Sequence, residues 1–112
     1  MMKRILLLTL IISLLLSGLA FAEKGYIAYV DDSKNILVVE VEPYKNYTCA
    51  TYITNFSLEF PCTPAVNDVV FGNLNSYGPY KLYDNRLGGK FDVFTDEIML
   101  SEEQATEWVR KQ

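Results

Sequence analysis

Cys49 and Cys62 are the only thiols in the chain and the first residues that could do chemistry. The 12 residues between them are too many for a redox-active C-x-x-C pair. An even cysteine count in an exported chain favours a structural disulfide, because oxidising compartments preserve such bonds. We therefore predict a Cys49–Cys62 disulfide, which would close a loop of roughly 14 residues and stabilise the fold by about 3 kcal/mol.

The chain contains no histidine, which excludes Ser-His-Asp and Cys-His catalysis and His-ligated zinc or haem. Paired carboxylates remain, since Asp84 and Asp92 could face one another across a hairpin as a glycosidase acid pair does. The interpretation that we favour is that Asp84 belongs to a turn and Asp92 to a solvated strand face. The acidic run over residues 31–35 contains Lys34 and lacks the calcium-loop pattern. We expect no enzymatic activity, no metal site and no cofactor.

Tyrosine is the more suggestive residue, because eight occur among residues 23–112. A tyrosine buries a large ring at low entropic cost and keeps a polar tip, which suits binding interfaces. The candidate binding surface consists of Tyr44, Tyr77, Tyr80 and Tyr83. Tyr80 and Tyr83 have opposite parity on one strand, so one of the two should face outward. The alternative is that strands simply favour tyrosine and that these rings fill a small core.

The first 22 residues have the three parts of a secretory signal peptide in the expected order. Lys3 and Arg4 precede an apolar stretch over residues 5–16, and Ala20-Phe21-Ala22 is a small-x-small cleavage site. The sequence therefore predicts a cleaved signal peptide over residues 1–22, export to the periplasm or the medium, and no stable membrane anchor after cleavage. The alternative is an uncleaved anchor, since a span needs about 20 apolar residues.

The charge that remains after cleavage is acidic. Residues 23–112 carry 8 Lys and Arg against 14 Asp and Glu, a net charge of −6. Such a surface disfavours nucleic acid and anionic membranes, both of which attract clustered cations. It suits a basic protein partner, although solubility alone also explains it.

Strand periodicity dominates the chain up to its last 12 residues. Alternation in the second strand predicts that Leu37, Val39 and Val41 face the core. Gly72 suggests a bulge or a bend at a barrel corner, and Gly88-Gly89 supplies the positive φ of a hairpin turn. Residues 55–64 are at best an edge segment, because they contain two prolines. The predicted strands span residues 25–30, 36–42, 47–54, 69–74, 80–84 and 90–95.

The last element is a predicted helix over residues 101–111. Ser101 and Gln104 fit a capping box, in which Ser101 is the N-cap and Gln104 the N3 residue. Ala105, Trp108 and Val109 form one apolar stripe at helical spacing. A helix this short is marginal by itself, so Trp108 should dock onto the sheet.

These elements predict a single domain over residues 23–112 that is all-β with a C-terminal helix. The fold class is a small curled sheet or partly open barrel, OB-like or SH3-like, with five or six strands and one disulfide. The leading functional hypothesis is an exported binding protein of inhibitor, immunity or adaptor type that acts on another exported protein. The alternatives are a small-ligand or saccharide module that uses exposed Tyr and Trp rings, and an envelope accessory that assembles with itself.

Overall fold

The computed structural model describes residues 22–53 and 63–112. The predicted signal peptide therefore lies outside the described residues, apart from Ala22, and so do Cys62 and most of the segment 55–64. The elements are β1 (Glu23–Asp31), β2 (Ile36–Val41), β3 (Asn46–Ile53), β4 (Val69–Gly72), β5 (Gly78–Asp84), β6 (Gly89–Leu100) and α1 (Glu102–Arg110).

Six antiparallel strands form a closed barrel in the order β1-β2-β3-β6-β5-β4. The all-β prediction with a terminal helix is confirmed, whereas the expectation of a partly open barrel is wrong because β4 pairs with β1. Since β4 returns to lie beside β1, the order β4-β1-β2-β3 is a Greek key. Closure removes the unpaired strand edges through which small sheets aggregate.

The barrel interior is filled by side chains of one parity from every strand. Leu37, Val39 and Val41 of β2 are at most 1% exposed, as the alternation predicts. Burial of each aliphatic side chain stabilises the fold by roughly 1.5–3 kcal/mol. The central cluster comprises Ile27, Leu37, Val39, Val41, Ala50, Tyr52, Val70, Leu74, Leu82, Phe91 and Val93.

One irregularity in β1 changes which side chains face outward. Tyr26 pairs with Glu40 and Tyr29 pairs with Val38, so the register shifts between Ile27 and Tyr29. Strict alternation would place Tyr26 and Tyr29 on opposite faces, but the extra residue puts both on the outside of the barrel.

The two glycines of the barrel wall stand where another strand comes close. A Cβ at Gly25 would lie 2.4 Å from Val39 Cγ1, and one at Gly72 would lie 2.5 Å from Leu82 Cδ2. The sequence predicted a bulge or a bend at a barrel corner for Gly72, and the bulge is absent because β4 keeps a regular register with β1 up to that residue. Close approach of neighbouring side chains explains this glycine instead.

The predicted β5–β6 hairpin is confirmed, with Asp84 paired to Gly89 and Gly88 at φ 68° in the turn. Strand β6 continues to Leu100, five residues past its predicted end at Thr95. Its extension pairs with β3, where Leu100 lies opposite Tyr47.

The C-terminal helix forms as the sequence predicts. Ser101 Oγ accepts a hydrogen bond from the Gln104 backbone N–H, and Gln104 Oε1 accepts one from the Ser101 N–H. Trp108 and Ala105 are 8% and 5% exposed, and they cover Ile36, Val38 and Cys49 on the outside of the barrel. Trp108 Nε1 also donates to Asp96 Oδ2 at 2.7 Å. The helix therefore makes a second, smaller core outside the barrel.

Candidate functional site

Cys49 is a free thiol, so the structure shows no disulfide at this residue. Cys62 lies outside the described residues, and the Cys49–Cys62 disulfide stays a prediction. The Cys49 side chain is fully buried beneath α1, in a small apolar cluster with Val38 and Trp108. Burial, followed by the negative charges of Glu97 and Asp96, raises the pKa of the Cys49 thiol to about 12. The group is therefore an inert packing residue rather than a nucleophile.

The four tyrosines of the predicted binding surface occupy three different places. Tyr44 and Tyr77, 79% and 61% exposed, lie in the β2–β3 and β4–β5 connections, which the strand directions put at the same end of the barrel. Tyr80 points inward and packs against the central cluster, whereas Tyr83 points outward from β5. The opposite facing of Tyr80 and Tyr83 follows from their parity, and the structure does not bring all four rings onto one face.

An exposed apolar surface, the β6 patch, is centred on β6 and made of Ile53, Pro79 and Phe94. Phe94 lies opposite Pro79 on β5 and opposite Thr51 on β3, and Ile53 lies opposite Asp92. Ile53 and Phe94 are 62% and 53% exposed although both are large and apolar. These three residues line a shallow depression of about 450 Å³. Exposed apolar surface of this kind marks interaction sites on soluble proteins.

The β6 patch is flanked by charge and aromatic side chains. Lys81 Nζ lies 3.5 Å from Asp92 Oδ1 at its edge. Tyr80 borders the depression although its ring packs inward against the central cluster, and Tyr83 follows Lys81 on the outward side of β5. Two of the four predicted tyrosines are thus in or next to an apolar surface that the sequence reasoning did not identify.

A second surface, the α1 cleft, lies between the helix and the outer face of β1, β2 and β3. It has a volume of about 260 Å³. Glu102, Ala105, Thr106 and Val109 contribute one wall from a single face of the helix. The opposite side of the cleft is formed by Ala28, Tyr29, Val38 and Tyr47.

Negative charge surrounds Tyr47 in the α1 cleft. Burial, followed by the carboxylates of Glu40 and Glu102, raises the pKa of the Tyr47 phenol. Glu40 is the register partner of both Tyr26 and Tyr47, so a carboxylate stands between two rings on the outer face. Within the described part of the chain, neither Glu40 nor Glu102 forms a salt bridge.

The sequence reasoning missed the α1 cleft because of the irregularity in β1. Strict alternation along β1 would place one of Tyr26 and Tyr29 in the interior, whereas the register shift at Ala28 places both outside. No turn residue or proline marks that shift in the sequence. The one available signal was the helix itself, since any helix docked on a barrel leaves a groove along its sides.

A buried charge cluster lies at the end of the barrel opposite to Tyr44 and Tyr77. Asp84 is fully buried at the end of β5, and its Oδ1 accepts the backbone N–H groups of Arg86 and Leu87. Asp68, 5% exposed, accepts from Arg86 Nε at 2.6 Å and from the Ala65 N–H. The cluster therefore joins the segment before β4 to the β5–β6 turn.

The two carboxyl groups of this cluster share their environment. Burial, followed by the hydrogen bond with Asp68, raises the pKa of Asp84 to about 6. Burial also acts on Asp68, but its hydrogen bonds with Arg86 and Asp84 outweigh it and lower the pKa of Asp68. With both groups ionised, Asp84 Oδ2 has no donor among the described residues. Protonation of Asp84 satisfies this oxygen, because the protonated Oδ2 can itself donate a hydrogen bond to Asp68.

The structure separates the two acids that sequence reasoning considered for catalysis. Asp84 faces the interior at the barrel end, whereas Asp92 faces outward and meets Lys81. They cannot act across one cleft, and Asp84 serves the turn through its two backbone hydrogen bonds.

Residues 22–53 and 63–112 contain no group of three or more Cys, Asp or Glu side chains arranged to hold a metal ion. No helix in these two ranges is long and apolar enough to cross a membrane.

No protein-family model, curated protein or solved structure matches the chain. Function is therefore inferred from the geometry and electrostatics of this molecule alone.

Proposed function

We propose that the protein is a small exported binding protein that recognises another exported protein by surface complementarity. The observation that carries the proposal is the β6 patch, where Ile53 and Phe94 lie 62% and 53% exposed on adjacent strands. Because side chains fill the barrel interior, binding must use the outer surface. An apolar centre with polar surroundings is the usual composition of a protein interface.

The charge of the domain supports a basic partner. The net charge of residues 23–112 is −6, which would accelerate association with a positively charged protein and make it sensitive to salt. We propose a partner that covers the β6 patch with an apolar centre and surrounds it with Lys or Arg.

Export rests on the pattern of residues 1–22. Strand β1 begins at Glu23, directly after the predicted cleavage site, so removal of the signal peptide would leave all six strands whole. A periplasmic or secreted location, and the absence of enzymatic activity, are parts of the same proposal.

Within the small-barrel class, we propose an OB-like rather than an SH3-like relationship. The OB fold is a Greek-key barrel, and the order β4-β1-β2-β3 is a Greek key. The acidic charge argues against the nucleic-acid binding that many OB folds perform.

One residue argues against the saccharide-binding alternative. Trp108 is 8% exposed and its indole N–H donates to Asp96, so its ring is not available to stack on a sugar. Self-assembly remains an alternative, since the apolar residues of the β6 patch could contact a second copy of the chain.

The test is affinity capture from the envelope and extracellular fractions of the source organism, with the protein expressed from the full chain. Each captured protein is purified, and its affinity is then measured by calorimetry at low and physiological salt. The comparison uses wild type, Phe94→Ser on the patch, and Val66→Ser as a control that is also exposed, at 51%.

A one-to-one complex that loses affinity at least tenfold in Phe94→Ser, but not in Val66→Ser, is the expected result. Equal affinities for the two variants would reject the β6 patch. Sedimentation velocity on the protein alone provides the remaining arm, because concentration-dependent dimerisation that Phe94→Ser abolishes would favour self-assembly instead.

A further inference from the structure

We propose that the α1 cleft is a binding site for a cationic side chain, a lysine or arginine presented by a protein partner. It is a different surface from the β6 patch: the cleft lies over β1, β2 and β3, and the patch is centred on β6. This proposal rests on the proposed function in one respect only, namely that the cation belongs to a protein partner.

The shape and lining of the α1 cleft fit a long side chain with a charged end. Its volume of about 260 Å³ is slightly below the range of pockets that hold drug-sized ligands. Ala28, Val38, Ala105 and Val109 give it apolar walls. Lysine and arginine bury their methylene stems along such surfaces while their charged ends stay near water.

The polar groups at the cleft are those that recognise a cation. Tyr29 and Tyr47 supply aromatic rings, whose faces attract ammonium and guanidinium groups. Glu102 lines the cleft, and Glu40 stands beside Tyr47 in the strand register. The raised pKa of Tyr47 shows that both carboxylates act on the same phenol.

The charge of these carboxylates is not neutralised within the described residues, since neither forms a salt bridge there. The dipole of α1 stabilises Glu102 in the first turn, but it does not act on Glu40 of β2. Glu40 is therefore the carboxylate of the pair whose charge the helix dipole does not offset.

The same face already shows this mode of contact. Lys24 Nζ lies 5.4 Å from the centroid of the Tyr26 ring, and Tyr26 is the other register partner of Glu40. A tyrosine next to Glu40 thus accepts a lysine ammonium from the chain itself. The α1 cleft offers the equivalent position, on the Tyr47 side, to a lysine from outside.

The experiment titrates the isotope-labelled protein, expressed from the full chain, with Nα-acetyl-lysine methylamide and follows backbone amide shifts by NMR. Nα-acetyl-norleucine methylamide is the matched probe, because it keeps the straight chain and lacks the ammonium. We expect the lysine probe to shift the amides of Ala28, Val38, Tyr47 and Thr106, with a Kd on the order of millimolar. The norleucine probe should bind at least fivefold more weakly.

Variants then test the role of the carboxylates. Glu40→Gln and Glu102→Gln preserve shape and remove charge, and each should weaken lysine-probe binding about twofold to fivefold, with the larger loss at Glu40. Glu103→Gln is the control, since this exposed helix residue neither lines the cleft nor acts on the Tyr47 phenol. Amide spectra of all variants report folding.

The proposal is overturned by any of three results: no shifts at the cleft, equal affinity for the norleucine probe, or equal affinity in Glu40→Gln and Glu103→Gln. None of these results bears on the β6 patch, because the titration needs no protein partner. Conversely, loss of the partner complex in Phe94→Ser leaves the cleft titration unchanged.

Discussion

Two sides of the barrel carry outward-facing apolar residues, and within residues 22–53 and 63–112 only one of these sides is covered. On β2 and β3, Ile36, Val38 and Cys49 are at most 3% exposed because α1 lies over them. Near β6, Ile53 and Phe94 are 62% and 53% exposed. Helix α1 thus covers the first set, and no element of the described part of the chain covers the second set. The difference assigns the first set to stability and makes the second the better candidate for recognition.

The largest effect should follow removal of the covering side chain. Trp108→Ala should lower the free energy of unfolding by about 3–5 kcal/mol, because it leaves a cavity over Cys49 and frees Asp96 from its hydrogen bond. Urea unfolding followed by circular dichroism measures this loss. Glu103→Ala, at an exposed position of the same helix, is the control and should change stability little. A loss below about 1 kcal/mol for Trp108→Ala would mean that the helix does not cover this face in solution.

The two faces can be compared directly with one substitution made on each. Val38→Ser should cost about 2–3 kcal/mol, because it places a hydroxyl in an apolar cluster at 3% exposure. Ile53→Ser should stay within about 0.5 kcal/mol, because the side chain already faces water. Equal losses in a urea titration would show that the β6 patch is covered in the free protein, and the contrast between the faces would disappear.

The end of the barrel that holds Asp68 and Asp84 differs from both the α1-covered face and the β6 patch, because it buries charged groups instead of apolar surface. Since the pKa of Asp84 is raised to about 6, the folded state holds a proton that the unfolded chain releases near pH 4. The stability from this proton is fully present below pH 4 and is lost as the pH rises through about 6. The lowered pKa of Asp68 acts in the opposite direction and is felt only in more acidic solution.

Asp84→Asn mimics the protonated acid and should remove this pH dependence. We expect the variant to be about 2 kcal/mol more stable than wild type at pH 8 and nearly equal to it at pH 4.5. Urea midpoints measured from pH 4.5 to pH 8 provide the comparison. Asp92→Asn, on the outer face, should leave the slope of the wild type unchanged. A parallel curve for Asp84→Asn would show that Asp84 is ionised throughout this range.

The smallest expected effect concerns the cysteines. Because Cys49 is a free thiol under α1, a reducing agent should leave the urea midpoint of the purified protein unchanged. Loss of a structural disulfide from a small domain would instead cost roughly 2–5 kcal/mol. Thiol counting under native and unfolded conditions adds a second reading, since the buried thiol should react only after unfolding.

The elements were readable from the sequence wherever a local pattern caused them. Alternation in residues 36–42 identified Leu37, Val39 and Val41 as interior, and the Ser101–Gln104 capping box located the helix start. The disulfide prediction rested on cysteine number, which carries no information about which way Cys49 points. The end of β6 was misjudged because its last five residues are held by β3 and Trp108 rather than by their own strand propensity.

The candidate surfaces depended on contacts that no local pattern encodes. The apolar character of Ile53 and Phe94 was visible in the sequence, but their adjacency follows from the pairing of β3 with β6 across a long connection. Tyr29 and Tyr47 meet at the α1 cleft only because β1 shifts its register at Ala28 and α1 docks beside them.

The sequence by itself determined the strand and helix segments, the inward face of β2, the acidic charge and the lack of histidine. These properties follow from residue type and short-range periodicity, which each segment carries wherever it lies. Only the tertiary structure decided barrel closure, the burial of Cys49, the pairing of Asp68 with Asp84, and which apolar residues stay exposed. Those outcomes depend on strand register and on the docking of α1, because both bring together residues far apart in the chain.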